Sequence, residues 1–163
     1  MTKRKLALGI TAAIALIMFG SASAQLPGHA VSLHKRQASA EKQHRLIIQV
    51  NSNDAAMMNL ALNNAENVVQ FYKDLHQNVS IDIVTFGPGL HMYREDTSPV
   101  KARIETLALS TPEITFEACG NTRENMRKAE NKEIPIMSQA KVVRSGVVRV
   151  MELQERGWSY VKP

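Results

Sequence analysis

The sequence predicts an α/β fold, a three-layer α/β/α sandwich around a mostly parallel five-stranded sheet. Two observations lead to this prediction. From Arg45 onward, short apolar runs rich in β-branched residues alternate with amphipathic segments, and the first run is short and mostly apolar, as in a strand covered on both faces. Strands that alternate with helices form parallel sheets with helices packed on their faces. The pattern contains no internal repeat, so we expect one domain over residues 45–163.

The first strand and the first helix come from "RLIIQVN", Arg45 to Asn51, and from the long segment that follows it. Ser52, Asn53 or Asp54 can serve as the N-cap of this helix. Asn64 projects toward the apolar side of the helix, where a buried amide needs hydrogen-bond partners. A bond to neighbouring backbone is the structural explanation for Asn64, and contact with a ligand is the functional one.

The remaining elements continue the alternation. A second strand is predicted over Val79 to Gly87, and a short helix is predicted with Ser98 as N-cap and Pro99 at its first position. The third strand is predicted to end at Cys119. The segments that follow predict, in order, a helix "NTRENMRKAENK", a strand "AKVV", a helix "SGVVRVMELQER" and a strand "WSYV". Trp158 and Tyr160 on the last strand are expected either to pack on the chain's own helix or to cover a neighbouring subunit.

The N-terminal residues predict export to the periplasm. Three basic residues precede the apolar run Leu6 to Phe19, and the segment ends in the small-x-small pattern that signal peptidase accepts. We expect residues 1–24 to be a signal peptide that is cleaved after Ala24. The apolar run is shorter than the roughly 20 residues that span a bilayer, so no stable membrane anchor is expected after cleavage.

Charge argues against a nucleic-acid partner. The whole chain has a net charge of +5, but residues 1–24 hold three of the 20 Lys and Arg and none of the 15 Asp and Glu. The mature part therefore carries 17 basic and 15 acidic residues, a net charge of +2. This balance removes most of the compositional support for nucleic-acid binding.

Residues 25–44 are predicted to form a flexible arm between the leader and the domain. The segment has no sustained hydrophobic period and contains Pro27, Gly28 and several small polar residues. His29, His34 and His44 lie in it, but their spacing fits no compact ligand set and no Cys or carboxylate cluster accompanies them. We therefore expect no metal site.

A ligand site is expected at the carboxyl ends of the strands. In open parallel sheets the loops there lead into helix N-termini, whose free N–H groups contact ligands. Three such ends can be read from the sequence: Asn51 to Asp54, Phe86 to His91, and Cys119 to Thr122. Besides Cys119, the predicted binding residues are Asn51, Asn64, Gly87, His91, Gly120 and Asn121.

Cys119 is the only cysteine of the chain, so it cannot close an internal disulfide. It is therefore a buried inert thiol, a bridge to another chain, or a reactive site. Gly120 lets the backbone turn, and Asn121 with Glu124 predicts a capping box at the start of the next helix. Because helix N-terminal dipoles stabilise a thiolate, we predict a cysteine that is more acidic and more accessible than a structural one.

The charged side chains near Cys119 in the sequence have opposite effects on the acidity of its thiol. Arg123 and Arg127 would add positive charge, whereas Glu117 and Glu124 oppose them. His91 is the candidate base for a Cys-His nucleophile pair, and a solvated loop histidine is its structural explanation. Without a second cysteine, the thiol is left to accept sulfur as a persulfide, to sense oxidants, or to pair with another chain.

Several segments together resemble the DsrE/DsrF-like sulfur-relay family, in particular its small single-domain members. The similarity extends from Arg45 to Pro163 and includes the order and spacing of the segments. "ACGNT" and "GVVRVMELQERGWSYVKP" are its most specific parts. The segments that carry it are "RLIIQVN", "NLALNNAENVV", "VTFGPGL", "ITFEACGNT" and "SGVVRVMELQERGWSYVKP".

This resemblance implies an α/β/α sandwich, oligomers built from several copies, and a cysteine after the third strand that carries persulfide sulfur between proteins. Cys119 matches the family's cysteine, Asn64 and Asn67 resemble the asparagines of its first helix, and Gly87 matches the glycine that ends its second strand. The resemblance thus implies a sulfur donor or acceptor protein as partner and no cofactor.

Two other functions are consistent with the residues. The first is a non-enzymatic oligomeric module that binds a small anion or a peptide, with Cys119 incidental. The second is a flavin or nucleotide carrier, which would rest on fold analogy alone. Gly87-x-Gly89 does not support it, because the third glycine and an immediately following helix are missing from the pattern.

Overall fold

The structure, a computed structural model, describes residues 43–163. The predicted signal peptide and the arm up to residue 42 lie outside the described residues. His44, which we assigned to the arm, is the first residue of the first strand, so the domain begins one residue earlier than predicted. Within the described part of the chain, no helix combines the length and apolar character that crossing a membrane requires.

Five parallel strands form one sheet, which confirms the predicted fold class. The strand order is β4-β3-β2-β1-β5, so the last strand of the chain lies beside the first. Ile47 of β1, for example, pairs with Asp82 of β2 and with Tyr160 of β5. The strands are β1 (His44–Val50), β2 (Val79–Thr85), β3 (Ile114–Cys119), β4 (Ala140–Val143) and β5 (Ser159–Val161).

Four α-helices and a 3₁₀ helix connect the strands. The α-helices are α1 (Ala55–Asp74), α2 (Lys101–Ser110), α3 (Gly120–Glu130) and α4 (Gly146–Glu155). The 3₁₀ helix, Gly87–Tyr93, directly follows β2. The sequence analysis assigns no helix to this segment, and the 3₁₀ helix forms because "GPGLHMY" buries Leu90, Met92 and Tyr93 against the sheet.

The helices divide unequally between the two faces of the sheet. The steps from β1 to β4 all run in one direction, and right-handed crossovers therefore place α1, α2 and α3 on the same face. The step from β4 to β5 runs back across the whole sheet and places α4 on the other face. Met126 of α3 accordingly packs against the core that α1 and α2 cover, whereas Val150 and Leu153 of α4 belong to a separate core.

The core beneath α4 is small. Its fully buried members are Ile47 and Val84 from the sheet and Val150 and Leu153 from α4, with Phe86 and Trp158 packed at its margin. Each such side chain contributes roughly 1.5–3 kcal/mol by leaving water. Helix α4 is therefore held by few apolar contacts.

The start of α1 is as predicted, and the start of α2 is not. Asp54 is the N-cap of α1, and its carboxylate accepts a hydrogen bond from the Ala56 N–H at 2.8 Å. Helix α2 begins after Val100 rather than after Ser98. The Ser98 hydroxyl donates to the Met92 carbonyl at 2.6 Å and accepts from the Val100 N–H at 3.3 Å, and it thereby fixes the loop that precedes the helix.

Candidate functional site

Cys119 is at once the last residue of β3 and the N-cap of α3. Its sulfur accepts a hydrogen bond from the Thr122 N–H at 3.5 Å. Our prediction that Asn121 caps this helix is wrong, because strand and helix join without a loop and the helix begins earlier. Glu124 does not return to the helix start either, because its carboxylate binds Arg127 at 2.8 Å.

The sulfur lies between the first turns of two helices. Burial by itself would raise the pKa of the Cys119 thiol. Hydrogen bonds from the Thr122 hydroxyl and from the backbone N–H groups of Gly146, Thr122 and Asn121 outweigh this effect and lower the pKa below the ordinary value of a cysteine. Gly146 begins α4 and the other donors begin α3, so α-helices from both faces of the sheet converge on the thiol.

Cys119 is far less accessible than we predicted. Only 4% of the residue is exposed, so the expectation of an accessible thiol is wrong for this conformation. The start of α4 accounts for part of this cover. Gly146 lies so close to Phe86 that a Cβ at this position would be 2.9 Å from the ring. The absence of a side chain at Gly146 is what allows its amide to approach the sulfur.

Gly87 is linked to Cys119 through a hydrogen bond to Thr122. The Gly87 N–H donates to the Thr122 hydroxyl oxygen at 3.0 Å, which leaves the hydroxyl proton free to point at the sulfur of Cys119. Gly87 adopts a φ of +54°, a conformation that glycine reaches without strain. The end of β2 therefore orients a hydrogen-bond donor to the thiol at the end of β3.

His91 does not pair with Cys119. Its Nδ1 lies 3.1 Å from the Thr97 hydroxyl oxygen, and no hydrogen bond links its ring to the sulfur. Asn51 does follow β1 at the expected edge of the sheet, where Gly89 packs directly against the backbone of Val50 and Asn51. The edge thus includes Asn51, but the structure does not supply the base of a Cys-His pair.

Asn64 lies away from this edge of the sheet. It is nine residues beyond the first residue of α1, which corresponds to roughly 13 Å along the helix axis. Its side chain is half-buried and makes no hydrogen bond within the described residues. Asn67 is exposed and lines an apolar pocket near the start of β1. The two asparagines singled out in α1 are therefore not brought to Cys119.

The arginines of α3 are engaged elsewhere. Arg123 donates to the Ile134 carbonyl at 2.9 Å, and Arg127 binds Glu124. The causes that lower the pKa of Cys119 most are hydrogen bonds from Thr122, Gly146 and Asn121, and not the charges of these two arginines.

A buried charge cluster that we did not predict lies beneath α4. Arg149 binds Glu117 at 2.6 Å and Asp82 at 2.9 Å, and both carboxylates belong to the central strands. Burial, followed by repulsion from Glu117, raises the pKa of Asp82 despite the neighbouring Arg149. Glu117 precedes Cys119 by two residues, so the two side chains project to the same face of β3.

A cleft of about 630 Å³ opens beside the thiol, between β4 and α4. Asn121 belongs to its wall, and Gly120 lies close to the backbone of Val143, which is the partner of Cys119 in the sheet. Within residues 43–163 no three His, Cys, Asp or Glu side chains are grouped so that they could hold a metal ion. The residues that line the cleft are Asn121, Lys141, Val142, Val143, Arg144, Ser145, Val148, Arg149 and Glu152.

Sequence reasoning missed Thr122, Gly146 and Arg149. Thr122 had a recognisable signal, since a hydroxyl three residues after a helix-capping cysteine lies in the first turn. Gly146 and Arg149 had none, because they are distant from Cys119 in sequence and approach it only through the crossover from β4 to β5.

Comparison with known proteins supports the fold. No protein-family model matches the chain, and no curated protein sequence matches it. The chain is similar to the solved structure of MTH1491, a protein of unknown function from Methanobacterium thermoautotrophicum. The TM-score is 0.62 at 24% sequence identity, over 74% of this chain and 99% of that one. This similarity concerns the fold alone.

Proposed function

We propose that the protein is a periplasmic DsrE-like sulfur carrier in which Cys119 accepts a sulfur atom as a persulfide and passes it to an acceptor. The observation that carries this proposal is the position of Cys119 as the N-cap of α3, where its sulfur accepts a hydrogen bond from the Thr122 N–H at 3.5 Å and where the Thr122 hydroxyl and the amides of Asn121 and Gly146 also lower its pKa. These donors favour the thiolate, which is the nucleophilic form of cysteine. They also suit the anionic terminal sulfur of a persulfide.

The transfer balances without a further oxidant. The Cys119 thiolate attacks the sulfane sulfur of a donor, a bond forms between the two sulfur atoms, and the donor's own bond to that sulfur breaks. The electron pair of the broken bond leaves with the remainder of the donor. A second thiolate, on an acceptor, removes the sulfur by the same reaction and regenerates Cys119. No cofactor is required in either step.

Intact-mass spectrometry tests the proposal. Protein treated with thiosulfate or polysulfide should gain the mass of one sulfur atom, and Cys119→Ser should gain none. A reductant should remove the added mass. If wild-type protein shows no persulfide after either treatment, the carrier function is wrong. The same spectrum of protein purified from the periplasm would test cleavage after Ala24.

A second candidate is a non-enzymatic oligomeric module that binds a small ligand. The 4% exposure of Cys119 favours it, because an inert buried cysteine would have the same low exposure. An apolar pocket of about 370 Å³ between α1 and β5, lined in part by Phe71 and Tyr72, offers such a module a site remote from the sulfur. In this case Cys119→Ser would retain both ligand and assembly.

Exposed apolar side chains support a homo-oligomer. Val147, Val148 and Met151 of α4 are each about half exposed, and Tyr160 of β5 is exposed as well. Trp158, by contrast, packs against the protein's own small core. Light scattering of the mature protein would determine the number of copies, and a monomer at all concentrations would contradict the oligomer.

A further inference from the structure

The cleft between β4 and α4 contains polar side chains that have no partner within residues 43–163. Asn121, Lys141, Arg144 and Ser145 line it, and none of their side chains makes a hydrogen bond or ion pair within residues 43–163. Ser145 is the N-cap of α4, yet its hydroxyl caps no helical N–H. Four uncommitted side chains of this kind, facing one cavity, provide donors for a ligand.

Two of these side chains are cations. The other cation of the cleft, Arg149, is bound to Glu117 and Asp82 beneath it. Lys141 is opposite Glu117 in the sheet register but forms no ion pair with it. The wall includes a single carboxylate, Glu152, which lies 4.0 Å from Arg149. Lys141 and Arg144 therefore leave positive charge at the open side of the cleft, where an anion can approach.

Cys119 does not itself line the cleft, but three residues of the cleft wall adjoin the surroundings of its sulfur. The backbone N–H of Asn121 contributes to the stabilisation of the thiol and also donates to the Arg144 carbonyl at 3.1 Å. Val143 is the sheet partner of Cys119. Ser145 directly precedes Gly146, whose amide reaches the sulfur. A ligand held in the cleft is thus placed next to the groups that surround Cys119.

We infer that this cleft is the donor site of the protein and that it selects small anionic sulfane-sulfur compounds, such as thiosulfate or inorganic polysulfide. Arg144 and Lys141 bind the negative charge, and Asn121 and Ser145 supply neutral hydrogen-bond donors. This inference rests on the proposed sulfur-carrier function. With thiosulfate, the thiolate attacks the outer sulfur, the bond between the two sulfur atoms of thiosulfate breaks, and sulfite leaves with the electron pair.

Two alkylating reagents of nearly equal size test the charge selectivity without any sulfur chemistry. Iodoacetate is anionic and iodoacetamide is neutral, and both react with Cys119 alone. Any opening motion that admits them affects both, so the ratio of their rates reports the charge along the approach. The ratio is measured at constant pH in wild type, in Arg144→Gln and in Lys141→Gln. Arg156→Gln is the matched control, because Arg156 is an exposed cation at the C-cap of α4 and does not line the cleft.

We expect the iodoacetate-to-iodoacetamide ratio to fall by about threefold or more in Arg144→Gln and in Lys141→Gln, and to stay unchanged in Arg156→Gln. Sodium sulfate should slow the alkylation of wild-type Cys119 by iodoacetamide more than sodium chloride of equal ionic strength does. This difference between the two salts should disappear in Arg144→Gln. Equal ratios in all four proteins would overturn the anionic donor site. Because alkylation needs no persulfide, this failure is distinct from a failure of the carrier function itself.

Discussion

Arg149 of α4 donates to the carboxylate of Glu117 at 2.6 Å, two residues before Cys119 on β3. The same guanidinium binds Asp82 on β2, so one side chain fastens α4 to two strands. Helix α4 buries few apolar residues, and this fastening therefore contributes much of its attachment to the sheet. Gly146, one turn earlier on the helix, donates its amide to the sulfur. We therefore expect a change in the charge cluster to alter the acidity of the thiol.

Replacing Arg149 should both destabilise the fold and slow the alkylation of the Cys119 thiol. Arg149→Met leaves two buried carboxylates without their partner, and we expect the free energy of unfolding to fall by about 2–4 kcal/mol. At pH 7 iodoacetamide should react more slowly, because the uncompensated carboxylates and the displaced Gly146 amide both disfavour the thiolate. Denaturant unfolding and alkylation rates against pH measure the two effects.

Arg103→Met is the control for Arg149→Met. Arg103 joins α2 to α1 through Glu66 and Asn59, at a more exposed position. We expect a loss of less than about 1 kcal/mol and an unchanged pH profile of alkylation. If Arg149→Met does not fold, Arg149→Lys can replace it. Lysine keeps the positive charge but cannot bind Glu117 and Asp82 with two separate nitrogen atoms. The pH profile of alkylation should shift in the same direction in this variant. An unshifted profile in every Arg149 variant would refute the coupling.

The Thr122 hydroxyl should be a principal determinant of the thiol's acidity. In Thr122→Val the donor to the sulfur is lost while the shape is nearly kept, so the pKa of Cys119 should rise. We expect iodoacetamide to react about three- to tenfold more slowly at pH 7. Thr122→Ser retains the hydroxyl and should react like wild type. Identical rates for the valine and serine variants would contradict the assigned role.

Gly146→Ala tests the close approach of α4. The added Cβ would lie 2.9 Å from the Phe86 ring and 3.1 Å from the Thr85 carbonyl oxygen, so the helix start must move. We expect a loss of about 1–3 kcal/mol of stability and slower alkylation at pH 7. Val147→Ala, at the next and exposed position, should change neither quantity by a comparable amount. A crystal structure of Gly146→Ala in which the start of α4 is unmoved would contradict the close packing of Gly146 against Phe86.

The raised pKa of Asp82 should make the free energy of unfolding depend on pH. Its folded-state pKa is raised, so the native protein takes up this proton at a higher pH than the unfolded chain does. Wild type therefore gains stability relative to Asp82→Asn as the pH falls from 7 through the raised pKa toward about 3.9. The difference in the free energy of unfolding between wild type and Asp82→Asn should therefore shift in favour of wild type on acidification.

Urea unfolding of Asp82→Asn and wild type at several pH values between 4 and 7 measures this difference. Asp74→Asn is the control, since Asp74 is exposed at the end of α1. The Asp74→Asn curve should run parallel to that of wild type across this range. A difference that shifts in favour of Asp82→Asn as the pH falls would have the wrong sign for a raised pKa.

The order of strands and helices was readable from the sequence because each element carries its own signal. Apolar β-branched runs marked β1 to β3, and the position of Cys119 at the end of β3 followed from the run that precedes it. The start of α3 was misplaced, because a strand that passes into a helix without a loop leaves no turn signal between them. The 3₁₀ helix was missed for a related reason, since its burial depends on the sheet beneath it.

The sequence by itself determined the fold class and identified Cys119 as the one thiol, since both depend on local patterns and composition. Only the tertiary structure decided what surrounds that thiol. Thr122, Gly146 and Arg149 come from the starts of two helices, and the sheet order that places α4 alone on one face brings them together with the end of β3. Hydrogen bonds and burial act over a few ångströms in space, whereas these residues are separated by up to 30 positions along the chain.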